Sequence, residues 1–284
     1  KPVSKMVFCH KDSSIIEVNL KDRRCRLSRI PRGQSFPHNF QSVYSPDGRL
    51  FLIGGGDYQK DDDSLYQLQE IDLNNNYKMK KKDNMRHPRH GHAATWFGEK
   101  FIVVTGSRKE KNQSQLKCEM YNSDLDIWFD MPDLNVGRHY HSSCQFSDRF
   151  VYVFCGIANN NRKYINSIER YDHQTKSSWE LIEINPKVFP QRQGCGVVQK
   201  DNNEIIIFGG FNGDFCVDSF TLDVTTKSVS KTLDLPQKAF FFQMPVAYDS
   251  ETQSVYACEM QNRNVFRFDQ RLIWKQFFSV NNAY

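Results

Sequence analysis

The sequence predicts an all-β fold, a six-bladed β-propeller made of four-stranded antiparallel blades. Three features carry this prediction: an apolar strand ending at glycine recurs about every 50 residues, a second strand ends at a short polar residue, and a tryptophan follows in the clearest copies. A fixed period of this kind is typical of arrays in which each repeat forms one small sheet. We expect one domain over residues 1–284. Its six repeats cover approximately 1–34, 35–87, 88–136, 137–190, 191–236 and 237–284.

The first strand of each repeat, strand A, follows a D–A loop that leads from the preceding repeat. A basic residue or histidine stands in this loop, and a second polar or aromatic residue follows three positions later. The first set is His38, Arg89, Arg138, Arg192 and Lys238, and the second is Gln41, His92, His141, Cys195 and Phe241. Short turns such as Pro46-Asp47-Gly48 then lead to strand B, because these residues suit the backbone angles of a tight turn.

Strand B is the glycine-ended strand, and its nearly continuous apolar sequence predicts that both of its faces are covered. Glycine at its end permits a positive φ or a close approach of two backbones, which a Cβ would obstruct. The repeat glycines are Gly54, Gly55, Gly106, Gly156, Gly209 and Gly210, and weaker copies of the strand end at His10 and Glu259. Six copies predict six blades.

Strand C carries an apolar residue followed by Asp or Asn, whose side chain can bond to the backbone of the next turn. Tyr121 and Tyr171 hold the apolar position in the clearest copies. Strand D then carries Trp128, Trp179 or Trp274, a large ring that suits burial against the neighbouring sheet.

The glycine pair, the Tyr-Asp pair, the tryptophan and the Arg-x-x-His sequence, in this order and spacing, resemble the kelch repeat. The resemblance covers essentially the whole chain and implies that each repeat is one blade around a central channel. The first repeat begins at strand B and has no strand A of its own. Because the C-terminus completes the first blade in many kelch rings, and closure removes exposed sheet edges, residues 277–280 are expected to supply that strand.

Charge and composition narrow the classes of partner. The formal net charge of +5 and the pI of about 8.7 permit an acidic partner but fall short of the basic footprint of a nucleic-acid binder. No apolar run approaches the ~18 residues of a membrane helix. The eight cysteines are scattered singly, several within apolar strands, which favours a reducing, cytoplasmic location. We therefore expect a protein partner, and neither a membrane nor nucleic acid.

The D–A and B–C loops lie on one face of the predicted propeller, and its long B–C loops are suited to recognition. Arginine holds carboxylate or phosphate with two parallel hydrogen bonds, and aromatic rings supply apolar anchors. An acidic or phosphorylated segment is therefore the expected partner. The predicted contacts are Arg89, Arg138, Arg192, Lys238, Tyr58, Arg108, Tyr140, Arg162, Tyr164 and Phe211. The alternative for each D–A loop arginine is that it belongs to the repeat and braces adjacent blades.

Catalysis is not expected, because the sequence has no Ser-His-Asp order, nucleophile elbow, phosphate loop or HExxH motif. His87, His90, His92, His139 and His141 cluster in two D–A loops, but no carboxylate or cysteine stands at a consistent ligand spacing. We expect no metal and no cofactor. The resemblance implies a non-catalytic interaction module, as in the substrate-recognition domains of ubiquitin ligase adaptors. A cytoskeletal or scaffold subunit and a kelch-type enzyme such as a sugar mutarotase are the alternatives.

Overall fold

The computed structural model describes residues 5–10, 14–30, 36–56, 65–108, 115–158, 163–175, 177–201, 203–269 and 273–280. These residues form antiparallel sheets that make six blades, with no α-helix among them. Each complete blade is a meander of four strands. The predicted all-β, six-bladed propeller with four-stranded blades is confirmed.

The strands of the first three blades follow one another without interruption. The first blade contains β1 (Lys5–His10), β2 (Ser14–Asn19) and β3 (Cys25–Arg29). The second contains β4 (Gln41–Tyr44), β5 (Arg49–Ile53), β6 (Leu68–Asp72) and β7 (Lys78–Lys81). The third contains β8 (Ala93–Phe97), β9 (Phe101–Thr105), β10 (Cys118–Asn122) and β11 (Ile127–Met131).

The fourth blade carries an additional two-stranded ribbon within its B–C loop. Its strands are β12 (Ser142–Phe146), β13 (Phe150–Phe154), the ribbon β14 (Ile157–Ala158) and β15 (Lys163–Tyr164), then β16 (Ile168–Asp172) and β17 (Glu180–Ile182). The fifth blade contains β18 (Gly196–Gln199), β19 (Glu204–Phe208), β20 (Ser219–Asp223) and β21 (Ser228–Thr232). The sixth contains β22 (Val246–Asp249), β23 (Ser254–Cys258), β24 (Asn264–Phe268) and β25 (Trp274–Ser279).

The glycine-ended strands are buried as predicted, and their glycines are needed at a close approach between blades. Gly106 has a φ of 59°, and a Cβ there would lie 2.3 Å from the carbonyl oxygen of Arg138 in the next D–A loop. Gly209 has a φ of 61°, and its Cβ would lie 2.6 Å from the carbonyl oxygen of Ala239. Cys155 takes this position in the fourth blade and keeps the left-handed conformation, with a φ of 60°. The backbone turn therefore survives the loss of glycine there.

The hydrophobic core of the described residues is divided into six clusters, each filling the interface between two neighbouring blades. The cluster that closes the ring joins the first and sixth blades, where Met6 and Phe8 of β1 pack with Tyr256 and Cys258 of β23. The Gln243 side-chain amide, in the D–A loop before the sixth blade, also donates a hydrogen bond to the Phe40 carbonyl before the second blade.

Ring closure differs from the prediction made for residues 277–280. β25 runs unbroken from Trp274 to Ser279 and pairs with β24, so that Trp274 lies opposite Phe268 and Phe278 opposite Val265. These residues form the outermost strand of the sixth blade and do not supply an inner strand to the first. Of the first blade, the described residues form three strands. The predicted segment is used in the outer strand because the pairing continues beyond the tryptophan, with a bulge between Val265 and Phe266.

Candidate partner-binding face

The D–A loops are linked to one another by backbone hydrogen bonds around the mouth of the channel. The amide of Gly91 donates to the Asn39 carbonyl (3.1 Å), and the amide of Tyr140 donates to the Gly91 carbonyl (2.7 Å). Gly194 donates to Tyr140 and Phe241 donates to Gly194, both at 2.9 Å. Because each loop is bonded to the next, the rim of the channel is a continuous rigid scaffold.

A second set of backbone hydrogen bonds shows which residue of the D–A loop before the sixth blade corresponds to Arg89, Arg138 and Arg192. The Gly55 amide donates to the Arg89 carbonyl (2.8 Å), which ties strand B of one blade to the D–A loop of the next. In the sixth blade the equivalent bond runs from Gly210 to Ala239 (2.8 Å). Ala239 therefore holds the arginine position, and Lys238 stands one residue before it.

The three D–A loop arginines, Arg89, Arg138 and Arg192, are each 0% exposed. One Arg138 guanidinium nitrogen, Nη2, donates to Glu169 Oε1 at 2.7 Å. The other, Nη1, donates to the Cys155 carbonyl at 2.9 Å and to the Ser167 carbonyl at 3.0 Å. Burial lowers the pKa of Arg138, whereas pairing with Glu169 acts in the opposite direction.

Arg89 and Arg192 are held in the same way within their own blades. Arg89 Nη2 donates to Glu119 Oε1 at 2.8 Å, and its Nη1 donates to the Gly106 carbonyl at 2.7 Å. Arg192 donates to both carboxylate oxygens of Asp218, at 2.9 and 2.7 Å. The guanidinium groups thus point into the blades, where protein acceptors surround them. Of the two roles that the sequence left open, this position supports bracing rather than contact with a partner.

The buried glutamates complete these braces by holding the D–A loop backbone. Glu169 Oε2 accepts the backbone amide of Asn135 at 2.7 Å, and its Oε1 accepts that of Val136 at 3.1 Å. Glu119 accepts the backbone amides of Arg86 and His87 in the equivalent loop. Each carboxylate therefore fixes both the arginine and the loop that carries it.

Three histidines of the predicted cluster, His92, His139 and His141, are buried, whereas His87 and His90 are half-buried. Burial lowers the pKa of His92 and His141 well below the ordinary value, and lowers the pKa of His139 to about 3. His141 Nε2 lies 2.8 Å from Thr105 Oγ1, while neither ring nitrogen of His92 has a hydrogen-bond partner in the described part of the chain. No group of three His, Cys, Asp or Glu residues placed to hold a metal occurs among the residues that the structure describes.

Six aromatic rings form a continuous line across the D–A and B–C loops of blades four to six. We call this line the aromatic strip; it consists of Tyr164, Phe211, Phe215, Phe240, Phe242 and Tyr140. Successive ring centroids along this order are 6.2, 5.3, 6.1, 6.4 and 5.1 Å apart. Phe215 is 38% exposed, and Phe242 is the most deeply buried member at 6%. The strip therefore presents an apolar surface on the hydrogen-bonded loops at the channel mouth.

The structure brings together three residues that the sequence predicted as partner contacts: Tyr140, Tyr164 and Phe211. Sequence reasoning missed Phe240 and Phe242, although the Phe240-Phe241-Phe242 run in one D–A loop was the signal that marks them. Glycine at position 194 leaves room for the Phe240 ring, because a Cβ on Gly194 would be 2.1 Å from Cε2 of Phe240. Beside the strip, the buried side-chain oxygen of Gln193 has no hydrogen-bond partner among the described residues.

Cations lie near the strip: Arg108 and Lys238 are among the predicted contacts, and Lys163 is a cation that the sequence did not single out. Arg108 lies close enough to His139 to contribute to its lowered pKa, and His139 contacts Tyr140 at a centroid distance of 5.1 Å. Lys163 is exposed next to Tyr164. Neither cation has an ion-pair partner within the described ranges, whereas Lys238 pairs with Asp214 beside Phe215. The remaining two predicted contacts, at positions 58 and 162, lie outside the described residues.

Comparison with known proteins agrees with the repeat architecture. The family model of the KLHDC2/KLHL20/DRC7 Kelch-repeats domain matches residues 38–239. The chain belongs to the kelch-repeat family. Kelch propellers are typically protein-interaction modules and are mostly non-enzymatic.

Three curated relatives share parts of the kelch domain. The dynein alpha chain of the flagellar outer arm from Chlamydomonas reinhardtii is 24% identical over 186 residues, 58% of this chain and 4% of the relative. A galactose oxidase from Gibberella zeae is 31% identical over 114 residues, 39% of this chain and 15% of the relative. The Rho GTPase-activating protein gacHH from Dictyostelium discoideum is 24% identical over 165 residues, 56% of this chain and 11% of the relative. The kelch chain thus spans a small fraction of each of these proteins.

The solved structure of YjhT has the same fold. It superposes with a TM-score of 0.66 at 12% identity, covering 87% of this chain and 85% of that one. At this identity the similarity concerns the fold alone. In the part of the kelch chain that the structure describes, no helix has the length and apolar character needed to cross a membrane.

Proposed function

We propose that this kelch domain is a non-catalytic recognition module that binds a segment of a partner protein on its D–A and B–C loop face. The role is that of a substrate-recognition domain, such as those of ubiquitin ligase adaptors. The partner segment carries an apolar side chain for the aromatic strip and acidic or phosphorylated residues for the cations beside it.

The observation that carries this proposal is the aromatic strip, which lies on the hydrogen-bonded loops at the channel mouth. Aromatic anchors at a rigid surface contribute most of the binding energy in many protein interfaces, because they bury large areas with little loss of conformational freedom. Arg108 and Lys163, which have no ion-pair partner among the described residues, supply positive charge at the two ends of the strip. A carboxylate or phosphate on the partner complements them.

The buried arginines support recognition indirectly. Arg138 and Arg192 hold loops that present the strip, and Arg89 holds the neighbouring loop of the third blade, since each bonds strand C or the B–C loop of its own blade. The acidic part of the partner is therefore assigned to Arg108 and Lys163 rather than to these three arginines.

The test is affinity capture of partner proteins from cells of the source organism by the purified chain. We expect Phe211→Ser/Phe215→Ser to lose the captured partner by about tenfold or more. Leu125→Ser serves as a matched control, because Leu125 is 62% exposed on a C–D turn, the opposite face of the propeller. If the double variant captures the same proteins in the same amounts as the control, the proposed binding face is wrong.

A second candidate role is that of a subunit in a cytoskeletal assembly. The similarity to a flagellar outer-arm dynein chain over 58% of this chain favours it. In this role the same face holds the domain in a larger complex. The identity of the captured proteins distinguishes the two roles, because an assembly subunit captures components of a filament or motor and an adaptor captures a ligase component with its substrates.

A further inference from the structure

A second surface of the molecule, remote from the aromatic strip, concentrates positive charge. Residues 21–29 contain five lysines and arginines against a single aspartate, and four lysines occur in residues 78–82. These segments include β3 and β7, the outermost strands of the first and second blades. We call the exposed part of the two segments the basic rim.

The structure joins the two segments into one surface. Ser28 Oγ in β3 donates a hydrogen bond of 2.5 Å to the hydroxyl of Tyr77, the residue that precedes β7. The guanidinium of Arg26 lies 5.7 Å from the centroid of the same Tyr77 ring. About fifty residues separate the strands in sequence, a full repeat of the propeller array, so this juxtaposition depends on the fold.

Most cations of the basic rim are not neutralised. Arg24 pairs with Asp22 at 3.7 Å, and the buried Lys82 pairs with Glu70 and Asp126. No ion pair within 4.0 Å to a described carboxylate involves the other exposed cations, which are Lys21, Arg23, Arg26, Arg29, Lys78, Lys80 and Lys81. Glu70 and Asp72 stand opposite Lys80 and Lys78 on the neighbouring strand and reduce this charge only in part.

Apolar side chains alternate with the cations. Leu27 is 42% exposed between Arg26 and Arg29, and the half-buried Met79 lies between Lys78 and Lys80. The two aromatic rings of this region, Tyr77 and Phe277, lie beneath arginines, with Arg23 4.3 Å from the Phe277 centroid. Stacking of nucleic-acid bases requires exposed rings. The mixture of cations and aliphatic side chains instead suits an acidic protein segment that also carries apolar residues.

Each of the two strands has one edge that pairs with no other strand in the described ranges. Within those ranges β3 pairs with β2, and β7 pairs with β6. A free edge offers backbone donors and acceptors to an extended peptide, and basic residues on it exclude strands of like charge. An acidic strand is the kind of segment that this edge admits.

We propose that the basic rim of blades one and two is a second docking surface, which binds an acidic, extended segment of a partner protein. This site is separate from the channel-mouth face and does not depend on the function proposed for that face. Binding here leaves the aromatic strip free, so that one propeller can hold two protein segments.

The test uses a fluorescein-labelled peptide that alternates glutamate with valine, and measures its affinity for the purified chain by anisotropy at low salt. We expect Arg26→Glu/Lys80→Glu to weaken binding by about tenfold or more, because two attractive charges become repulsive. Lys231→Glu/Lys275→Glu makes the same change of charge on the outer strands β21 and β25 and is expected to bind as the unmodified chain does.

Oligothymidylate of the same formal charge as the peptide tests the competing class of partner. We expect the peptide to bind more tightly than the oligonucleotide. The proposal is overturned if the peptide does not bind, if the two double variants weaken it equally, or if the oligonucleotide binds more tightly and depends on Arg26 and Lys80.

Discussion

At the scale of single residues, the stability of this propeller depends on its buried charged side chains. Arg138 and Glu169 are both 0% exposed, and each has lost its hydration. Their ion pair and the surrounding carbonyl and amide groups compensate for that loss, so the pair is stable only when both members are present. The sequence predicted where these arginines stand but not which way they point. The partners Glu169, Glu119 and Asp218 follow the arginines by about 30 residues, and only pairing of the strands brings them together.

Removing the arginine of one brace should therefore destabilise the fold. Arg138→Ala leaves a buried carboxylate without its partner and is expected to lower the free energy of unfolding by about 3–5 kcal/mol. Urea denaturation followed by fluorescence measures this change. The control Arg108→Ala removes a half-buried arginine that forms no ion pair with the described part of the chain, and its effect should stay within about 0.5 kcal/mol. Similar stabilities of the two variants would contradict the bracing role.

Buried histidines make the stability depend on pH. The pKa of His139 is about 3 in the folded chain because of burial, against an ordinary value of 6.5. Between these values the unfolded chain binds more protons, so stability is greatest above pH 6.5 and falls as the pH is lowered. We expect His139 to contribute a loss of about 2 kcal/mol between pH 7 and pH 5. His92 and His141 act in the same direction.

The variant His139→Gln isolates this contribution. Its free energy of unfolding should decline less steeply with acidification than that of the unmodified chain, when both are measured by urea denaturation at a series of pH values. Parallel pH profiles for the two proteins would show that His139 is not buried in its neutral form.

At the scale of elements, the strand-D tryptophans of the third, fourth and sixth blades pack against the preceding blade. Trp128 Nε1 donates to the Asp83 carbonyl and Trp179 Nε1 to the Pro132 carbonyl, both at 2.9 Å. Trp274 is equally buried, but its Nε1 has no hydrogen-bond partner in the described chain. The repeat pattern predicted the position of all three rings. It could not predict this difference, because the acceptor belongs to the loop of a neighbouring blade.

Replacement by phenylalanine distinguishes these tryptophans. Trp179→Phe loses a hydrogen bond and leaves a buried acceptor, and should cost about 1–3 kcal/mol beyond the loss of ring volume. Trp274→Phe loses ring volume only and removes an unsatisfied donor, so it should be less destabilising. Thermal unfolding of the two variants measures the difference, and a greater loss for Trp274→Phe would contradict the account.

The sequence identified features that lie within one repeat, but not those that depend on contacts between blades. Glycine-ended apolar strands identified strand B of each blade, since glycine is required where two backbones approach. Ala239, and not Lys238, corresponds to the D–A loop arginines, and this correspondence is visible only from a backbone hydrogen bond between blades. The juxtaposition of β3 and β7 likewise depends on the order of blades around the ring.

For the whole molecule, the decisive feature is closure of the ring by packing of the first blade against the sixth. Phe8 in this interface is 2% exposed, and Phe208 in the interface between the fifth and sixth blades is 0% exposed. If the propeller is closed, Phe8 and Phe208 are both core residues of one cooperative unit. The sequence predicted closure but assigned it to the wrong strand, because the length of β25 depends on its pairing with β24.

Phe8→Ala and Phe208→Ala should therefore destabilise the chain by similar amounts, about 3–5 kcal/mol each. Unfolding should remain a single transition when it is followed by both fluorescence and circular dichroism. A much smaller effect of Phe8→Ala, or a separate early transition, would show that the first blade is not part of the closed ring.

For the binding face, we propose above all that the aromatic strip contacts the partner while the buried arginines only hold the loops. The most direct test measures the affinity of a captured partner for two variants. Phe211→Ser/Phe215→Ser removes the middle of the strip. Arg138→Met/Glu169→Gln removes a brace as a pair and keeps an acceptor for the loop amides. We expect a loss of affinity of about tenfold or more for the first variant and little change for the folded second variant. Full binding by the first variant together with lost binding by the second would contradict the proposed roles of the strip and the arginines.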